Sequence, residues 1–138
     1  MKRYEAKDIR DIVLLGHSGS GKTSLGEAIL FDGKATTRLG AVVDNTSNLD
    51  AEPEEQKRKI TIHSALGWVE WKKAKINLLD TPGDPNFAVD TRLSASVADA
   101  AVVVVSAPDG VQVGTEKGWQ IAEDLGLPRA IFLCKMDR

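Results

Sequence analysis

Residues 16–23 read Gly-His-Ser-Gly-Ser-Gly-Lys-Thr, a glycine, four residues and then Gly-Lys-Thr. Residues of this kind at this spacing suit the cradling of a phosphate group. The small residues Ser18, Gly19, Ser20 and Gly21 let the backbone curl with successive N–H groups pointing inward, and a helix starting beyond them adds its positive end. Lys22 is then placed to reach the outer phosphates of a nucleotide and the Thr23 hydroxyl to take a Mg²⁺. Gly16, His17 and Ser24 complete the expected nucleotide-binding segment.

Two further groups follow in the order such chemistry needs. Asp80 ends an apolar run just before Thr81-Pro82-Gly83. A carboxylate there is expensive unless it faces a cation or a hydrogen-bond network, so it reads either as the acid that holds Mg²⁺ or as a cap on the next helix. Gly83, without a side chain, can bring its N–H up to a γ-phosphate. Lys135-Met136-Asp137 follows the last apolar run. An aspartate at the carboxyl edge of a sheet can accept both N–H donors of guanine while a lysine stem lies along the base, although the same pair alone reads equally as a solvated ion pair.

Elements must place these groups. Residues 9–15 carry an apolar run fit for a buried strand, and 22–31 read as a helix with Leu25, Ala28 and Ile29 on one face. Residues 32–59 are polar, glycine-dotted and aperiodic, too long for an ordinary connection, and so functional or disordered. Alternation over 60–71, a charged turn at 72–75 and a second apolar run at 75–80 predict an antiparallel hairpin. A helix over 87–98, a strand over 100–107, a helix from about 115 to 125 and one more buried strand over 130–134 complete the chain. The alternation of strands and helices predicts an α/β fold with a mixed, mostly parallel sheet between helical layers.

The bulk properties narrow the class. At 138 residues, 42% hydrophobic and 28% charged, the chain is one globular, soluble domain. Its net charge of −2 argues against gripping nucleic acid through broad phosphate neutralisation. Cys134 stands alone, so no internal disulfide forms, and the charged N-terminus does not resemble a secretion signal. The longest apolar stretch, 100–105, is far too short to span a bilayer, so no membrane partner is expected and a cytoplasmic location is the default.

From the phosphate loop to Lys135-Met136-Asp137-Arg138 the chain resembles the GTP-binding domain of translational GTPases, the elongation factor G branch in particular. Glu54-Glu55-Gln56-Lys57-Arg58-Lys59-Ile60-Thr61-Ile62 is similar to the end of the first switch and Asp80-Thr81-Pro82-Gly83 to the second, with Gly110-Val111-Gln112 and Thr115-Glu116 as a helix start typical of the family. The resemblance implies a P-loop NTPase fold over 1–138, switch I at about 32–62 and switch II at about 80–97. It also implies GTP/GDP and Mg²⁺ as cofactors, hydrolysis of GTP by in-line attack of water, and the ribosome as partner of a full-length protein. Thr61 would close on Mg²⁺ beside Thr23 and Asp80, Gly83 would sense the γ-phosphate, and Cys134, Lys135 and Asp137 would meet the base.

Three positions depart from that family. Asp84 stands where a histidine orders the attacking water, so hydrolysis is expected to be slow, with Asp84 as base only if it lies on the water. Gly19 replaces an aspartate that helps hold a monovalent cation, and Cys134 replaces a base-binding asparagine, which weakens base affinity. The family's domain continues beyond the position of Arg138, so the chain is expected to be a fragment whose strand at 130–134 forms an exposed apolar edge prone to self-association. Lys57-Arg58-Lys59 reads as a solvated basic run or a ribosome-facing patch, His63 as structural and His17 as a loop residue facing away. Two other functions compete: a nucleotide-gated interaction module that hardly hydrolyses, and an ATP-using kinase, which explains neither Thr61 nor Asp137.

Overall fold

The computed structural model describes residues 3–137; Met1, Lys2 and Arg138, the ends of the expected domain, lie outside the described residues. Its elements are β1 (Ile9–Leu15), α1 (Lys22–Asp32), α2 (Pro53–Arg58), β2 (Ala65–Trp71), β3 (Ala74–Asp80), α3 (Ala88–Ala95), β4 (Ala100–Ser106), α4 (Val113–Asp124) and β5 (Arg129–Cys134). One five-stranded sheet runs in the order β2-β3-β1-β4-β5, parallel throughout except for the β2–β3 hairpin. No helix among the described residues is long and apolar enough to cross a membrane.

Side-chain alternation along β1 feeds two cores. Val13 and Leu15 join Ala101, Val103 and Val105 of β4 under Ala95 of α3 and Ala122 of α4. On the opposite face Leu30 of α1 packs with Val69 and with Leu49, which reaches in from the long loop. Helices therefore cover both sides of the central strands, the layering that a mostly parallel sheet requires. The stripe that α1 buries is Thr23, Gly26, Glu27 and Leu30, at helical spacing, whereas Leu25, Ala28 and Ile29, the face expected from the sequence, are only half-buried.

Several boundaries move for physical reasons. β2 begins at Ala65 rather than at 60, because the backbone donors before it are taken by side chains: the N–H groups of Ile62 and His63 donate to Glu55 Oε1 and that of Ser64 to Asp90 Oδ2. The loop expected to lack structure contains α2, started by Pro53 and closed by reciprocal bonds between Glu52 and Glu55. Six residues are under two turns, too short to show a period. The hairpin turns on Lys72 and Lys73 alone, with φ of 44° and 74°, the left-handed pair that a two-residue hairpin matching the sheet's twist demands.

β5 is not one more buried strand. It forms the sheet's edge, and Ile131, Phe132 and Leu133 are 60%, 43% and 51% exposed. At the other edge, Trp68 borders a cleft that Asn48 and Leu49 of the long loop line from the far side. Lys75 lies over the Trp68 ring, and Arg129 over that of Trp119 on α4.

Candidate functional site

The loop between β1 and α1 has the shape its residues promise. Gly16 has φ of 143°, and a Cβ there would lie 2.4 Å from the Val104 carbonyl oxygen, so only glycine fits. Gly19 and Gly21 also take positive φ, and Gly21 caps α1 without a side chain, leaving the first-turn N–H groups aimed into the loop. Gly83 is pressed against this loop: a Cβ on it would sit 2.4 Å from the Ser18 nitrogen and 2.5 Å from Lys22 Nζ. The strand that carries Asp80 thus delivers the Gly83 backbone to the same place.

Lys22 is buried, and its ammonium donates to the carbonyl oxygens of Gly16 (3.1 Å) and His17 (2.9 Å), bracing the loop from inside. Burial pushes its pKa down to about 8 against the pull of Asp80 and Asp50. Asp80 is 0% exposed, and neither of its carboxylate oxygens has a hydrogen-bond partner. Burial pushes its pKa up to about 7, opposed by the nearby Thr23 hydroxyl and by Lys22. Above these two, the hydroxyls of Thr23 and Thr61 stand 3.1 Å apart, and Thr61 donates to Asp50 Oδ1 at 2.9 Å.

A buried carboxylate next to the Thr23 hydroxyl, with the Thr61 hydroxyl 3.1 Å beyond it, offers oxygen donors of the kind Mg²⁺ takes when water and phosphate supply its other ligands. Thr23 and Thr61 line a cavity of about 180 Å³ together with Lys22, Asp50, Gly83 and Lys135, while Asp80 is buried and outside its lining. Small, dipole-lined and flanked by one buried ammonium, it is suited to an anion held against a cation.

The other expected residues divide. Lys135 donates to the Gly19 carbonyl at 2.8 Å, and a Cβ on Gly21 would lie 3.2 Å from Cys134 Sγ, so both residues reach the phosphate loop. Burial raises the Cys134 pKa, with Lys135 opposing, and the group stays a thiol. Asp137 is exposed and does not line the cavity. His17 faces away as expected: its ring contacts the Ser18 carbonyl, with Nε2 3.9 Å from Asp109. Asp84 is also outside the cavity, because its carboxylate accepts the Asn86 N–H at 2.8 Å and caps the short turn Pro85–Phe87.

Two readings of the loop need correction. His63 does not follow strand alternation; it precedes β2 with its side chain exposed and its backbone on Glu55. Lys57-Arg58-Lys59 is not simply solvated, since Arg58 pairs with Glu54 and the Lys59 ammonium donates to the carbonyls of Val42 (3.1 Å) and Val43 (2.6 Å) and to Asn45. Sequence reasoning missed three buried acids, Glu27, Asp50 and Glu55. A signal existed only for Glu27, which shares the helical stripe of Thr23 and Leu30.

Over residues 7–138 the sequence matches the family described as the elongation factor Tu GTP binding domain. It is similar to elongation factor G 1 of Geobacter sulfurreducens, 39% identical over 138 residues, 100% of this chain and 20% of that protein. A crystal structure from Thermus thermophilus superposes with a TM-score of 0.88 at 42% identity, over 91% of this chain and 19% of that one. The bacterial selenocysteine-specific elongation factor EF-Sec is similar in fold alone, with a TM-score of 0.75 at 22% identity over 93% of this chain and 20% of that one. The chain spans about a fifth of the length of these relatives.

The buried carboxylate makes a pH-dependent prediction. With its pKa raised from 3.8 to about 7 in the folded chain, Asp80 is protonated in both states at low pH. As pH rises from about 4 to about 7 the unfolded chain ionises first, so stability falls across that window and levels above it. Urea denaturation of the nucleotide-free protein with a chelator should show Asp80→Asn gaining on the native chain steadily from pH 4 to 7. A constant difference would mean that Asp80 titrates normally. Lys22, moved from 10.5 to about 8, acts only in the higher window.

Proposed function

The chain belongs to the elongation factor Tu GTP binding domain family, and on that premise we propose that it is a Mg²⁺-dependent GTP/GDP switch of the elongation factor G kind. The phosphate loop and Lys22 hold the β- and γ-phosphates, Thr23, Thr61 and Asp80 hold Mg²⁺, and the Gly83 N–H meets the γ-phosphate. When bound, Mg²⁺ supplies positive charge against the phosphate oxygens. Lys135 and Cys134 flank the base and Asp137 accepts the two N–H groups of guanine. What supports this reading above all is the Thr61 hydroxyl, brought from a distant loop to 3.1 Å from that of Thr23, which itself neighbours the buried carboxylate of Asp80. The whole protein would act in the cytosol with the ribosome as its partner.

The reaction is hydrolysis: water attacks the γ-phosphorus in line, the bond to the β–γ bridging oxygen breaks, and GDP and phosphate leave. Lys22 and the loop N–H groups stabilise the charge that gathers on the bridging oxygen. Asp84 cannot donate to a water as an imidazolium or hydroxyl would, and it borders the cavity beside the one lined by Thr23 and Thr61, which makes the isolated domain slow. The same observation favours a second reading, a module that binds GTP or GDP and signals through its loop with little turnover.

Calorimetric titration with Mg²⁺ tests the first claim. GDP and β,γ-imido-GTP should bind at micromolar affinity or better, ATP should not, and Lys22→Ala should lose roughly 10- to 100-fold, the worth of a charged hydrogen bond. Equal uptake of ATP would return the kinase reading. Turnover separates the two switch readings: Asp84→His should raise single-turnover hydrolysis, whereas an unchanged rate would favour the binding module. The exposed apolar edge at β5 also leads us to propose concentration-dependent self-association, measurable by sedimentation and abolished by Phe132→Lys if β5 carries it.

A further inference from the structure

α1 carries a carboxylate that the phosphate site does not use. Glu27 lies one turn beyond Thr23 on the same buried stripe and is 0% exposed. Its Oε1 accepts from the Ser47 hydroxyl (2.7 Å) and from the backbone N–H groups of Asn48 (2.5 Å) and Leu49 (2.9 Å), while Oε2 accepts from the Asn48 side chain at 2.8 Å. The backbone closes on it as well, since a Cβ on Gly40 would lie 2.1 Å from Oε2. Three consecutive loop residues therefore converge on one side chain of the helix. While the loop covers it, the carboxylate has no water to replace a lost donor, so each of these bonds supports the others.

The clasp leads directly into the site. Ser47 Oγ, held by Glu27, accepts the Asp50 N–H at 3.0 Å, and Asp50 accepts the Thr61 hydroxyl, which stands over Thr23. The path leaves α1 at Glu27, crosses the loop and returns to α1 at Thr23, one helical turn away. The apolar share of the loop's attachment in this core is Leu49 against Leu30 and Val69.

We infer that Glu27 is a positioning residue: by clasping residues 47–49 it fixes Asp50, sets the Thr61 hydroxyl at the phosphate site, and favours a nucleoside triphosphate over a diphosphate. The preference for the triphosphate rests on the nucleotide reading above; the clasp itself does not.

Two measurements test this. The first needs no ligand: limited trypsin digestion of the nucleotide-free protein, followed at the exposed Arg38 in the loop. Glu27→Gln sets an amide against the Asn48 amide, and loop cleavage should accelerate roughly tenfold, as should Ser47→Ala, which removes a donor from the loop side. Glu27→Gln with Asn48→Asp restores an acceptor opposite the new amide and should return cleavage toward the native rate. Native-rate cleavage of both Glu27→Gln and Ser47→Ala overturns the clasp. So does global unfolding of Glu27→Gln while Ser47→Ala is cut at the native rate, because Glu27 then serves the core alone. The second compares β,γ-imido-GTP with GDP in the presence of Mg²⁺. Glu27→Gln should lower the triphosphate-to-diphosphate affinity ratio roughly tenfold with GDP affinity nearly unchanged, and equal loss of both overturns the positioning role. A native protein that binds neither nucleotide refutes the switch reading and the triphosphate preference together, while the digestion decides the clasp separately.

Discussion

Everything at this site depends on two opposite charges held out of water at the ends of parallel strands. Register puts them there: Leu14 of β1 pairs with Asp80 of β3, and the Thr81 hydroxyl donates to the Leu14 carbonyl at 2.6 Å, locking the end of one strand to the start of the phosphate loop. Lys22 then enters from the helix that the loop begins. Lys22 is met by the Gly16 and His17 carbonyls and Asp80 by the nearby Thr23 hydroxyl, yet burial dominates the pKa of both. Burial raises the pKa of Asp80 and lowers that of Lys22, each against the pull of the other, so the fold holds both charges at an electrostatic cost.

The long loop solves a different problem. A polar segment that buries little apolar surface would not normally lie still on a domain, and this one is fastened mostly by carboxylates, with Leu49 as its share of the core. Glu55 gathers the backbone around Ile62 and His63, and Asp50 takes the Thr61 hydroxyl. Such fastenings are directional and few. Breaking one of them exposes donors and an acceptor together, so these attachments are lost as groups and not one by one.

The legible and illegible parts of this molecule differ in how far apart the cooperating residues lie in sequence. The phosphate loop could be read because all its parts fall within eight consecutive residues between a strand and a helix, and Asp80 because a carboxylate ending an apolar run is conspicuous. The layers followed from alternating apolar runs. Hidden were the groups whose partners arrive from elsewhere: Asp50 means nothing until Thr61 is brought to it, and Glu55 looks like one more charge in a charged stretch. The same blindness made β2 too long, since the residues at 60–64 alternate like a strand but have their backbone donors claimed by Glu55 and Asp90. It also hid the cap that Asp84 makes on Asn86, which is visible only in three dimensions.

The position of Trp68 has an optical consequence. Its indole, under the Lys75 ammonium, looks across a cleft to Asn48 and Leu49, the residues next to the loop's attachment to α1. Trp71 and Trp119 do not line that cleft, and Trp119 is covered by Arg129. Because Asn48 and Leu49 line the same cleft as the half-exposed Trp68 ring, a change in the loop's attachment would alter the polarity around Trp68 while leaving Trp119 as it was. The chain thus carries a native fluorophore beside the loop, and its emission would report the loop's attachment without any label, at the opposite end of α1 from Lys22.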